Sequence, residues 1–178
     1  MTSTAGQQLA SVERLRSLAR YDLTAPGLRA ELDVLSAGTA RLLDVPTAMV
    51  AFVLDSAQYV GGSHGLRGWM AAAEGSPAEW AFCARVVTSG GVYVVEDAAA
   101  HPEHAGSPTV LLDGVRSYAG VPLRTGGGHL LGAHCVIDVR PRRFTPEEIG
   151  VLQGRADTAL AILGRHRRPP VPLARTGG

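Results

Sequence analysis

The chain has 178 residues, 46% of them hydrophobic and 19% charged, a balance that allows one buried core and excludes a disordered or fibrous polymer. The formal net charge is +1, so no long-range field draws the chain to nucleic acid or to an anionic membrane surface. No apolar run approaches the roughly 18 residues of a membrane span, and Met1–Leu9 lacks the basic-then-apolar pattern of a secretory signal. These features predict a cytoplasmic protein whose two cysteines, Cys83 and Cys135, are reduced thiols outside any disulfide framework.

Residues 1–6 are small and polar and are expected to be disordered. From Gln7 to Arg20, Leu9, Val12, Leu15, Leu18 and Ala19 recur at threes and fours, the stripe of one amphipathic helix. Thr24 and Pro26 mark the start of a second helix that carries Leu28, Leu32, Leu35, Thr39, Leu42 and Leu43 and stops before Pro46. Ala48–Leu54 is apolar at every position, which predicts a central strand covered on both faces. Gln58–Leu66 reads as a second strand with a kink or bulge at Gly61-Gly62.

Residues 67–78 read as a loop or irregular helix. Trp80–Thr88 is a short helix stopped by Ser89-Gly90-Gly91, and Val92–Val95 is a third strand. Residues 98–109 are loop-like, with a helical turn at Val110–Asp113. Arg116–Arg124 and His129–Val139 are strands four and five, joined at Thr125–Gly128 by a hairpin turn. Thr145, Pro146, Glu147 and Glu148 open a last helix with stripe residues Ile149, Leu152, Ala156, Leu160 and Leu163. The tail from Arg165 is expected to be disordered. The expectation is therefore one domain over 7–164: an α+β fold, a central antiparallel sheet with terminal helices on one face and the inserted helix and loops on the other.

Several stretches resemble the bacterial GAF domain family. They are Phe82-Cys83-Ala84 before the third strand; Val95-Glu96-Asp97-Ala98 followed by His101-Pro102; and Val115–Leu123, a glycine turn, then Leu131–Asp138. The likeness spans roughly residues 12–164. It implies a GAF-like, PAS-related sheet and a regulatory module that binds an unidentified small molecule. It also implies output through a homodimer or a separate signalling protein, since no kinase, cyclase or DNA-binding segment is attached. Family members bind ligands ranging from cyclic nucleotides to tetrapyrroles and haem, and the cofactor of this chain stays unassigned. The chain lacks the cysteine set of the family's free methionine sulfoxide reductases, which argues against that activity, and the reading leans away from an enzyme.

The candidate ligand-binding residues are Trp80, Phe82, Cys83, His101, His104, Tyr118 and His134. His134 stands out because the family usually carries Leu there, before the strand cysteine. Strand alternation sends His134 and Cys135 to opposite faces, so a shared metal needs a bulge. The alternative site pairs His134 with Cys83, His101 and His104, an imidazole and thiolate set suited to zinc, copper or haem iron. Against it stands a core histidine bonded to backbone. Cys83 and Cys135 offer a thiol pair or metal ligands, with two small buried hydrophobes the favoured reading, and His101-Pro102-Glu103-His104 offers two ligands on a loop, with a plain exposed loop the favoured reading. Asp97, Arg116 and Asp138 at strand ends are expected to satisfy one another or loop backbone. Trp69 and Tyr59 are further aromatics near the expected pocket, offering stacking or core volume.

Overall fold

Strand β1, Thr47–Val53, is apolar and buried at every position from Ala48 on. That pattern fits only the middle of a sheet with layers on both sides. A computed structural model describes residues 4–169. In it, β1 lies between β2 (Ala57–His64) and β6 (Leu130–Asp138), in a six-stranded sheet of order β3-β2-β1-β6-β5-β4. β3 is Gly75–Pro77, β4 is Tyr93–Val95 and β5 is Ser117–Arg124. Every neighbouring pair is antiparallel.

The expected kink in the second strand is a bulge. Val50 pairs with Gly62 and Ala51 with Val60, leaving Gly61 extra. Glycine is required at both positions. A Cβ on Gly61 would meet the Phe52 ring at 2.4 Å, and one on Gly62 would meet Leu32 Cβ at the same distance. The bare backbone lets α3 (Pro26–Leu43) lie close on the sheet.

One face carries α3 and α7 (Pro146–Arg165) over Val50, Phe52, Val121 and Val136. α7 begins with a full capping box between Thr145 and Glu148. The other face carries α5 (Phe82–Ser89) and the loops, over Met49, Ala51, Tyr118 and Cys135. α3 and α7 share one face and α5 takes the other, as expected, whereas the N-terminal segment Thr4–Leu9, expected with the terminal helices, packs against α5. The helix expected at Trp80–Thr88 instead starts at Phe82, after a 3-10 turn at Ala78–Trp80. The 67–78 segment holds helix α4, Gly68–Ala73, and then β3. α6 is one short turn, Pro108–Leu111.

Both ends of the chain depart from expectation. The single N-terminal helix is two, α1 (Thr4–Leu9) and α2 (Val12–Leu18). Ser11 breaks them by accepting a hydrogen bond from the Arg14 N–H. The break turns Val12 outward and brings Arg14 into the interior, 5% exposed. Its guanidinium donates to the carbonyls of Leu9 and Val53, both at 2.5 Å, and to Leu54 at 3.1 Å. Thr4–Gly6, expected to be disordered, belong to α1, and Met1–Ser3 lie outside the described residues. Arg165 ends α7, and Arg167 pairs with Tyr21 in an isolated antiparallel bridge. The tail expected to be disordered therefore begins as ordered chain; residues 170–178 lie outside the described residues. Among the described residues no helix is long and apolar enough to cross a membrane.

Candidate functional site

The face roofed by α5 gathers most of the residues singled out in the sequence. Cys83, second residue of α5, and Cys135 of β6 are fully buried, with their sulfurs 3.6 Å apart. Both are free thiols. The Tyr118 hydroxyl donates to Cys83 Sγ at 3.3 Å. Gly120 makes that reach possible: a Cβ there would lie 2.2 Å from the Tyr118 hydroxyl oxygen, so the phenol lies flat over the glycine. Burial pushes Cys135 and Tyr118 well above their ordinary pKa values. The hydrogen bond with Cys135, and a smaller contribution from the Tyr118 hydroxyl, hold Cys83 below the usual thiol value.

An aromatic stack continues outward. Phe82 lies between Tyr118, at 5.0 Å between ring centroids, and His104, at 4.2 Å. Nε2 of His104 is 2.8 Å from the Tyr93 hydroxyl. Burial first, and then the neighbouring His101, lower the His104 pKa to about 4, so the ring is neutral near physiological pH. His101, Glu103 and His104 place one ligand atom each within 4.8 Å of one another. Arg85 pairs with Glu103, which sets a competing cation at that carboxylate.

His134 does not join this group. Strand alternation sends it through the sheet to the α3 and α7 face. There Nδ1 is 3.0 Å from the Met49 carbonyl and Nε2 is 2.9 Å from Thr39 Oγ1. Arg155 of α7 donates to the same Thr39 oxygen at 3.2 Å and to the Leu35 carbonyl at 3.0 Å. One proton inventory satisfies all of them: Nδ1–H donates to Met49, Thr39 O–H donates to Nε2, and Arg155 supplies Thr39 and Leu35. Burial lowers the His134 pKa to about 4, the form this arrangement needs. The four-residue metal set of His134, Cys83, His101 and His104 is thus divided by the sheet. The thiol that Cys83 meets is Cys135, which shares its face.

A cavity of about 420 Å³ sits at the end of the sheet where β1 and β5 begin and β2 and β6 end. Its apolar wall is Leu66, Met70, Val115 and Ile137, and its rim is Arg67 and Leu112. Asp113 is the acidic group in the wall. Among the described residues its Oδ2 is buried with no hydrogen-bond partner, and so is the indole N–H of Trp69. Burial raises the Asp113 pKa, and proximity to Trp69 offsets part of that rise, though the two fall short of a formed hydrogen bond. Trp80 packs edge-on against Trp69 at 5.9 Å.

None of Trp80, Phe82, Cys83, His101, His104, Tyr118 or His134 lines this cavity. Tyr59, expected near the pocket, packs on the opposite face. Asp113 went unnoticed in the sequence; its signal was a lone carboxylate inside the apolar run Val110–Val115. Asp97 and Arg116 form a two-bond ion pair, both bonds at 3.0 Å. The Asp138 carboxylate accepts from the Arg140 backbone N–H. These charges satisfy one another and loop backbone.

A family model described as GAF domain matches residues 28–162. A cyclic di-GMP phosphodiesterase of Pseudomonas aeruginosa is 33% identical over 111 residues, 62% of this chain and 18% of that protein. The chain thus spans under a fifth of that relative's length. The GAF domain of a phosphoenolpyruvate-protein phosphotransferase from Coxiella burnetii superposes with a TM-score of 0.66 at 18% identity, covering 92% of this chain and 96% of that one. A type II free methionine-R-sulfoxide reductase from Thermoplasma acidophilum has the same TM-score at 13% identity, covering 82% and 98%. At these identities the structures speak for the fold alone. The family match covers well over half of the chain: the protein belongs to the GAF domain family, the sensory, small-molecule-binding domains of signalling proteins.

Proposed function

We propose that this domain is a sensor whose small-molecule ligand occupies the cavity between α4, the Leu112–Val115 segment and the end of the sheet. The observation that carries the reading is an apolar chamber of ligand size whose wall holds an unpartnered carboxylate oxygen, Asp113 Oδ2. The ligand that fits has an apolar body and one hydrogen-bond donor for Asp113, because a buried acceptor left unmade costs free energy that a donor recovers. Ligand ordering α4 and the 98–115 loop is passed to the helices on the opposite face through differential affinity for two states. Output runs through a homodimer or a separate signalling protein in a bacterial cytoplasm. The exposed Val34 and Leu42 of α3 and Val151 of α7 support such a surface.

The test is native mass spectrometry of the freshly purified chain, followed by thermal shift of the wild type and of Val115→Phe against a metabolite panel. A bound small molecule or stabilising hit, lost in Val115→Phe while circular dichroism is unchanged, supports the reading. Equal binding by the cavity-filled variant places the ligand elsewhere and removes it.

A further inference from the structure

The thiol pair is separate from the cavity, and its geometry is that of a reactive couple more than of two packed hydrophobes. Cys83 and Cys135 lie on different elements, 52 positions apart in sequence, yet their sulfurs stand 3.6 Å apart. A disulfide requires about 2.05 Å, so the two sulfurs need to approach by only about 1.5 Å. Tyr118 directs its hydroxyl at Cys83, a polar contact that Gly120 makes sterically possible. Cys83 also sits in the first turn of α5, where backbone N–H groups favour negative charge on sulfur. No cysteine is left over to compete, since the chain has only these two.

We propose that Cys83 and Cys135 form a redox centre, which a hydroperoxide converts to an intramolecular disulfide tying the roof helix α5 to the central strand β6. The Cys83 thiolate attacks the peroxide, the O–O bond breaks, and the departing oxygen leaves as water or alcohol after taking a proton. Cys83 becomes a sulfenic acid. The Cys135 thiolate then attacks that sulfur, the S–S bond forms, the S–O bond breaks, and the hydroxide leaves as water with the proton Cys135 gave up. Two thiols and one hydroperoxide yield one disulfide, one water and one water or alcohol. The sulfurs lose the two electrons that the peroxide gains, and a dithiol reductant reverses the change by exchange.

Both sulfurs have zero exposure, so oxidation proceeds through brief opening of the roof. The hinge is at hand in Gly90, in the left-handed region at φ 73°, followed by Gly91 with open space around it. Closing the disulfide fixes the neighbouring Phe82, and with it the stack that holds the His104 loop.

The experiment exposes the purified, reduced chain to hydrogen peroxide and follows it by intact mass and by thiol titration in denaturant. The expected result is loss of two hydrogens and of both titratable thiols, a Cys83–Cys135 linked peptide in a non-reducing digest, and full reversal by dithiothreitol. Amide exchange in α5 and the 98–115 loop slows in the oxidised form. In Cys135→Ala, Cys83 halts as a sulfenic acid captured by dimedone, whereas the wild type yields none. Sulfinic or sulfonic acid on separate cysteines, disulfide-linked chain dimers, or two thiols still titratable after the exposure would overturn the proposal. If Cys135→Ala fails to fold, the wild-type peptide map decides alone.

Discussion

Replacing His134 with Leu separates two roles that a buried histidine combines, and they carry opposite signs across the pH scale. Near neutral pH the ring donates to Met49 O and accepts from Thr39. Leu leaves the Met49 carbonyl without this donor, a loss of about 1–3 kcal/mol. Thr39 is less affected, because its hydroxyl can turn to the Leu35 carbonyl at 3.1 Å. The apolar side chain recovers part of the loss, so the net destabilisation is about 1–2 kcal/mol.

On acidification the order reverses. Burial lowers the folded pKa of His134 from 6.5 to about 4. Between those values the unfolded chain binds the proton and the folded chain does not, so stability falls as pH falls through this window. By about pH 4.5 this linkage removes roughly 2.5 kcal/mol from the wild type and nothing from the variant. His104, also lowered to about 4, is present in both proteins and cancels in the comparison. The two stability curves therefore cross between neutral pH and about pH 4.5. Urea unfolding of both proteins at the two pH values measures this. Parallel curves, with both proteins losing the same stability on acidification, would refute a neutral His134 buried between Met49 and Thr39.

Three further outcomes follow from other contacts. Gly120→Ala sets a Cβ 2.2 Å from the Tyr118 hydroxyl and costs about 1–3 kcal/mol; in the Tyr118→Leu background the same change costs much less, and a double-mutant cycle by urea unfolding reads the coupling. Arg14→Met removes the donors to Leu9, Val53 and Leu54 and destabilises by about 2–4 kcal/mol, with hydrogen exchange rising first in α1 and α2; unchanged exchange there would contradict the clamp. Oxidation of the thiol pair closes a loop between residues 52 apart and raises the melting temperature, with chain entropy setting a ceiling of about 4 kcal/mol; a lower melting temperature would mean the native geometry is strained by the bond.

The layers were legible in the sequence because they follow from period and polarity. A β1 apolar from Ala48 on, a glycine pair in β2 and a capped stripe in α7 each specify a local state that packing leaves intact. The N-terminal stripe misled for a physical reason. It ranked Val12 as buried, whereas Ser11 breaks the helix, Val12 is exposed, and beside the buried Leu18 lies a buried Arg14, held by carbonyls that no local pattern reveals. The tail was read from composition alone, while the order of residues 165–169 comes with the bridge of Arg167 to Tyr21, across most of the chain.

The candidate site divides in the same way. Parity along β6 is local, so the opposite faces of His134 and Cys135 could be read from two adjacent letters. Which partner waits on each face is a long-range fact: Thr39 lies 95 positions from His134, and Cys83 lies 52 from Cys135. The sheet therefore keeps two polar assemblies apart in one protein. The thiols and Tyr118 face the roof and the loops. His134 faces Arg155 on α7, a helix of the layer from which a signal would leave. His134 and Cys135 are neighbours on β6, one residue in each assembly, so a double-mutant cycle between Cys135→Ala and His134→Leu, read by urea unfolding, measures whether the two assemblies are coupled through that strand.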